Sequence, residues 1–104
     1  MAWFQEWWVA RNPDRALGIR AGAGTPRPPS VLAGADALYD SSRVPHRARW
    51  GLPLPDAAST GRYLHETLER TLELLDRLPA QADDHALYFF RLAALHEQMH
   101  AEAA

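Results

Sequence analysis

The chain has 104 residues, 47% of them hydrophobic, and a formal net charge of -2. This length fits one domain, and the slightly negative charge argues against nucleic-acid binding, which needs a basic surface. The absence of cysteine excludes disulfides, thiolate metal sites and a cysteine nucleophile. No apolar run is long enough to span a bilayer, and the N-terminus lacks the basic region of a secretory signal, so we expect a cytoplasmic protein without a membrane partner.

A first helix is predicted over residues 2–11. Its aromatic residues recur four positions apart, as Trp3 with Trp7 and Phe4 with Trp8. We expect them to pack in the core, the alternative being a substrate cage. Pro13 ends this helix, because the residue before a proline avoids the helical region. Residues 12–59 contain seven of the eight prolines and are predicted to be irregular, apart from a short helical turn in the sequence GADALYDSS.

Two further helices are predicted, over residues 60–78 and 83–103. Thr60 is the expected N-cap of the second helix, and either of two aspartates, Asp83 or Asp84, that of the third. The second helix has a leucine stripe that we expect to face the core, formed by Leu64, Leu68, Leu72, Leu75 and Leu78. The predicted fold is therefore all-α, an incomplete four-helix bundle with a long irregular connection after its first helix.

A pair of histidines, His96 and His100, lies four residues apart on the predicted third helix. At about 100° per residue both are expected to face inward, next to the apolar stripe. Two imidazoles one turn apart can chelate a divalent metal. A structural role is the alternative, but burying two unsatisfied polar rings is costly. The spacing therefore favours a metal site.

The third ligand of such a site is not evident from spacing. The sequence HEQMH also matches a zinc-peptidase pattern in which Glu97 is the general base, but that pattern needs a further ligand downstream and a substrate-binding strand. Glu102 points about 120° away from His96. His65, beside the leucine stripe, is a candidate ligand or a boundary residue. His46 and His85 are expected to be solvated.

Three stretches of the chain, AWFQEWWVAR, ADALYDSSRVPHRARWGLPLP and YFFRLAALHEQMHAEA, resemble the N-terminal DinB-like domain of the ergothioneine and selenoneine synthase family. The resemblance implies a four-helix bundle followed by a second domain similar to the formylglycine-generating-enzyme and C-type-lectin fold. It implies a mononuclear non-haem iron, Fe(2+), bound by three histidines. The full-length enzymes join sulfur or selenium to the imidazole carbon of trimethylated histidine, and the ergothioneine branch uses oxygen.

Carried over by residue, the resemblance makes His96 and His100 two of the iron ligands. The family's third histidine would stand one residue before Met1. In the segment VPHRARWGLPL, the resemblance implies a clamp for the substrate carboxylate by Arg49, with His46 at a second position and Arg43 as a further candidate. A solvated arginine cluster is the alternative interpretation of this segment.

We therefore expect a fragment of a non-haem iron synthase, inactive by itself because one ligand and the second domain are missing. The implied substrates are trimethylated histidine and a thiol or selenium donor, and the implied partner is the second domain. The alternative is a stand-alone DinB-like helical module that binds a metal or another protein without catalysis.

Overall fold

The chain was analysed as a computed structural model, which describes residues 2–22, 24–40, 42, 51 and 53–103. Their helical elements are α1 (Ala2–Gln5), a π-helical turn (Glu6–Ala10), a 3-10 segment (Arg15–Arg20), α2 (Ala35–Tyr39), α3 (Ala57–Asp76) and α4 (Asp84–Ala103). These ranges contain no strand, so the all-α prediction is confirmed for them. The four-helix DinB-like architecture stays a prediction. Within the described ranges, no helix has the length and apolar character needed to cross a membrane.

The first helical segment changes its winding after one turn. Glu6–Ala10 is π-helical, and the Arg11 N–H donates to the Glu6 carbonyl oxygen at 2.7 Å. Single π-turns of this kind insert one extra residue into a helix and rotate the side chains that follow. Val9 is fully buried in the turn, and Glu6 is only 1% exposed. The stretch predicted as one helix is therefore two differently wound pieces.

Helix α3 begins earlier than the sequence predicts, at Ala57 instead of at residue 60. Asp56 is its N-cap, with the Asp56 Oδ1 accepting from the Ser59 backbone N–H at 2.7 Å. Aspartate is a better N-cap than threonine because its charge also interacts favourably with the helix dipole. The prediction of Thr60 as the cap is wrong for this reason.

The buried face of α3 is not the leucine stripe, and that prediction is also wrong. Four of the stripe leucines lie on α3, and they are 38–49% exposed. The buried side chains of this helix are Tyr63, Thr67, Thr71 and Leu74. At about 100° per residue the two sets are centred about 100° apart around the helix. This rotation brings the Tyr63 hydroxyl to the buried Glu6 carboxylate, to which it donates at 2.6 Å.

Two small apolar clusters make up the core of the described chain. One contains Val9, Leu74, Phe89 and Ala93, with Trp8 packed against it. The other contains Ala2, Ala35 and Tyr63, with Trp3 at its edge. The predicted aromatic spacing appears as a Trp3–Trp7 stack at 5.2 Å and a Phe4–Trp8 contact at 6.4 Å between ring centroids. The first helical segment thus packs between α3 and α4.

A buried polar network ties the proline-rich connection to the first helical segment. The Glu6 carboxylate accepts from Ser30 Oγ at 2.6 Å and from the Val31 N–H at 2.8 Å. The Arg11 guanidinium donates to both Asp36 carboxylate oxygens, at 2.8 and 3.0 Å. Bidentate pairs of this kind combine charge with fixed geometry. They hold residues 28–36 in place although this range contains little regular structure.

Gly18 allows the 3-10 segment to approach the start of α4 closely. Its φ is +57°, and a Cβ at this position would lie 3.0 Å from the His85 backbone oxygen. Only glycine adopts this conformation without strain and leaves room for that contact. The irregular region therefore packs against the helix that carries the histidine pair.

Candidate metal centre

Helix α4 presents the two predicted ligands on neighbouring turns. The Asp83 carboxylate caps the helix by accepting from the Ala86 N–H at 2.9 Å. The His96 Nε2 and the His100 Nε2 lie 3.3 Å apart, with ring centroids at 4.5 Å. His96 is half-buried and His100 is exposed. The expectation that both rings face the core therefore holds for His96 alone.

The distance between these two nitrogens fits a shared metal ion. Two imidazole nitrogens bound to one ion at about 2.1 Å lie roughly 3.0–3.4 Å apart when the bond angle is about 90–110°. The observed 3.3 Å is within this range. The same distance also allows an N–H···N hydrogen bond between the rings, since one neutral imidazole can donate and the other accept. The distance between the two nitrogens is thus compatible with either purpose.

An aromatic ring covers one face of the first ligand. The Phe4 ring and the His96 imidazole are parallel within 2°, with their centroids 3.6 Å apart. The His96 Nδ1 is buried and has no hydrogen-bond partner among the described residues. The sequence pattern gave no sign of this contact, because Phe4 and His96 are far apart in the chain.

The electrostatic surroundings of His96 favour its neutral form. Burial, and then the positive charge of the adjacent His100 when protonated, lower the pKa of His96. Neutral imidazole is the form that binds metals. The lowered pKa therefore keeps this nitrogen available to a cation at neutral pH.

A groove of about 440 Å³ lies between α1, α3 and α4. Its wall is formed by Gln5, Gly61, Leu64, His65, Leu68 and Glu97. His65 is not near enough to join the pair in a three-ligand group, and its Nε2 instead lies 3.0 Å from the Glu69 carboxylate. Glu97 faces this groove.

The other residues considered from the sequence lie outside the centre or outside the described ranges. His85 is exposed and contacts the Gly18 region. Glu102 is exposed and accepts from the Gln98 side chain at 3.3 Å. The proposed carboxylate clamp, formed by Arg43, His46 and Arg49, lies outside the described residues. Within the described part of the chain, no three histidine or acidic side chains come together as a metal site.

Comparison with known proteins gives one informative similarity. The chain is 38% identical over 80 residues to hercynine oxygenase from Mycolicibacterium thermoresistibile, and the aligned part covers 76% of this chain but 17% of that protein. None of the protein-family models matches the chain. The chain is thus similar to one segment of an oxygenase that acts on hercynine, and this supports, at the level of the family, a relation to the ergothioneine and selenoneine enzymes.

Proposed function

We propose that this chain is the metal-binding helical part of a non-haem iron enzyme related to hercynine oxygenase, with His96 and His100 as two of the iron ligands. The observation that carries the proposal is the 3.3 Å separation of their Nε2 atoms. The 38% identity to an oxygenase segment supports the choice of iron over other divalent metals. The carboxylate clamp formed by Arg43, His46 and Arg49 remains part of the proposal.

The packing of α1 against α4 indicates where a third ligand would belong. Phe4 stacks on His96, and Trp8 stacks on Phe89 one helical turn further along the first segment. The two helical segments therefore run antiparallel. A residue four positions before Phe4 would lie on the same helix face and opposite His100. That position directly precedes Met1, as the family resemblance also implies.

In this arrangement the chain itself contributes binding and orientation. His96 and His100 would hold the iron ion through their Nε2 atoms, and the His100 side chain is exposed. When bound, an iron ion held by three protein ligands would supply the chemistry of oxygen activation. The aligned segment is 17% of the relative's length, so we propose that catalysis on trimethylated histidine with a thiol or selenium donor needs further segments.

A second candidate function is a helical interaction module without catalysis. The exposed leucines of α3, which are Leu64, Leu68, Leu72 and Leu75, favour it because contiguous exposed apolar side chains mark contact sites for other surfaces. This candidate does not require the histidine pair to bind a metal. Metal titration therefore separates the two functions.

The experiment is a calorimetric titration with Fe²⁺ under anaerobic conditions. We expect weak binding by the chain itself, and loss of that binding in His96→Ala and in His100→Ala. His85→Ala is the matched control, since it removes an exposed histidine from the same helix and should change nothing. Binding that survives both His96→Ala and His100→Ala would overturn the proposed metal centre.

The position of the third ligand is tested with two N-terminal extensions, Gly-His and Gly-Ala, placed directly before Met1. The Gly-His extension should bind Fe²⁺ more than about tenfold more tightly than the Gly-Ala extension, because losing even an outer partner of a ligand costs about 10–100-fold. Equal affinities would show that the antiparallel register does not bring this position to the metal. His65→Ala would then be the next variant to titrate.

A further inference from the structure

We infer that Phe4 is a positioning residue of the metal centre: its ring holds the His96 imidazole flat against α1 and favours the metal-bound state of that imidazole. The inference rests on the proposed function and adds a residue that the histidine pattern does not contain. It depends on three observations, which are the stack, the unpartnered Nδ1 and the contrast with a second aromatic pair between the first helical segment and α4.

The stack is unusually close. Its centroid separation of 3.6 Å and tilt of 2° describe two rings lying almost directly on one another. Aromatic pairs in proteins usually have centroids about 4.5–7 Å apart and prefer offset or edge-to-face arrangements. A ring in this position cannot turn about its Cβ–Cγ bond without striking the Phe4 face. Phe4 therefore restrains the plane of the His96 ring, in which Nε2 lies 3.3 Å from the His100 Nε2.

The His96 Nδ1 has no hydrogen-bond partner among the described residues, so the orientation of this ring depends on other contacts. A metal-binding histidine normally donates its second ring N–H to a carboxylate or carbonyl oxygen, which fixes the orientation of the ring. Among the described residues no group accepts from the buried His96 Nδ1. The usual orienting hydrogen bond is thus missing here. Apart from the contact between the two Nε2 atoms of the histidine pair, the flat contact with Phe4 is the described interaction that can hold the ring.

The electrostatics of the stack favour a positively polarised imidazole. Two neutral aromatic rings placed face to face bring their negative faces together, which is less favourable than an offset. An imidazole that shares the charge of a divalent cation is electron-poor, and the face of phenylalanine attracts positive charge. Metal binding at Nε2 should therefore strengthen the contact. By the same linkage, the contact should strengthen metal binding.

The Trp8–Phe89 pair supplies a control within the same helical interface. These rings are also nearly parallel, at 7°, but their centroids are 5.5 Å apart and neither ring is a metal ligand. Removing either aromatic contact weakens the packing of the first helical segment on α4. Of these two aromatic contacts, the one made by Phe4 involves a residue of the histidine pair, and the one made by Trp8 does not.

The first test measures Co²⁺ affinity by titration, using four variants that circular dichroism shows to be folded. Phe4→Leu should bind Co²⁺ on the order of three- to tenfold more weakly, the range expected for losing a cation–π contact. Phe4→Tyr keeps an aromatic ring at this position and should bind Co²⁺ as tightly as the wild type. Pentafluorophenylalanine at position 4 keeps the ring shape but reverses its charge distribution, and should weaken binding. Trp8→Leu should lower stability without changing affinity.

The second test needs no metal. In the metal-free protein, the ring protons of His96 should resonate upfield because they lie over the Phe4 face. Phe4→Leu should remove this upfield shift, whereas Phe4→Tyr should retain it. An unchanged shift in Phe4→Leu would overturn the inference.

The failure of this inference differs from the failure of the metal centre. If His96→Ala abolishes Co²⁺ binding while Phe4→Leu binds like the wild type, the stack has no positioning role and the metal centre stands. If His96→Ala and His100→Ala both bind Co²⁺ normally, the metal centre itself is wrong and the inference falls with it.

Discussion

The buried Glu6 carboxylate should be a principal determinant of stability in this small core. It is 1% exposed and accepts hydrogen bonds from three donors: Ser30 Oγ, the Val31 N–H and the Tyr63 hydroxyl. These contacts join the first helical segment, the proline-rich connection and α3. Changing Glu6 therefore perturbs three parts of the chain at once.

The structure ranks three substitutions by their cost in free energy of unfolding. Tyr63→Phe removes one donor and leaves the carboxylate two others, so it should cost about 1–1.5 kcal/mol. Glu6→Gln keeps the shape but points an NH₂ group at two hydroxyl groups, and should cost about 2 kcal/mol. Glu6→Ala also leaves a cavity and strands the buried donors, and should cost about 3–5 kcal/mol.

Urea unfolding followed by circular dichroism measures these costs. Glu66→Gln is the matched control, because Glu66 is exposed on α3 and its change should stay within about 0.5 kcal/mol. Full wild-type stability of Glu6→Gln would refute the reasoning. So would a loss in Tyr63→Phe as large as that in Glu6→Ala.

The same network predicts the stability of the protein at alkaline pH. Burial, and then the hydrogen bond to Glu6, raise the pKa of Tyr63 in the folded protein. A tyrosine with a raised folded-state pKa stabilises the protein below the ordinary value of about 10, and this contribution is lost as the pH rises beyond it. Unfolding above about pH 10 should therefore be less pH-dependent in Tyr63→Phe than in the wild type. Identical alkaline slopes for the two proteins would contradict this.

Five further substitutions test the fold by thermal or urea unfolding. Gly18→Ala should destabilise by about 1–3 kcal/mol because of its positive φ and close contact, whereas Gly61→Ala, in open space on α3, should stabilise by about 0.5–1 kcal/mol. Leu74→Ala should cost about 2–5 kcal/mol and Leu68→Ala about 1 kcal/mol, since the first is 5% and the second 47% exposed; equal costs would show that the leucine stripe is buried after all. Asp56→Ala should lower the melting temperature at neutral pH, but not in acid. The Ser59 N–H lowers the pKa of the Asp56 carboxyl, so the contribution of this cap is lost as the pH falls below the ordinary value of 3.8.

The sequence alone determined the helical class and the histidine spacing. The all-α class follows from helical periodicity and from the prolines, which exclude regular structure from most of residues 12–59. His96 and His100 share a helix face because residues four apart in any α-helix do so. These features depend on local backbone geometry, which a short stretch of sequence specifies.

The tertiary structure decided which face of α3 is buried. The sequence favours the leucine stripe, since it has the larger apolar surface. The folded chain instead buries Tyr63, Thr67 and Leu74, and this face brings the Tyr63 hydroxyl to the Glu6 carboxylate 57 positions earlier. Turning α3 to bury the leucine stripe would remove one of the three donors to this buried carboxylate. The apolar periodicity of α3 contains no information about a contact between residues 57 positions apart.

Only the tertiary structure shows how the candidate metal centre is supported. Spacing places His96 and His100 together, but it does not distinguish the half-buried ring from the exposed one. That difference arises because Phe4 crosses α4 at His96 and not at His100. The crossing point is set by the antiparallel packing of two helical segments that are distant in sequence. Side-chain spacing within α4 therefore determined the ligand pair, and the packing of α1 on α4 decided its orientation and burial.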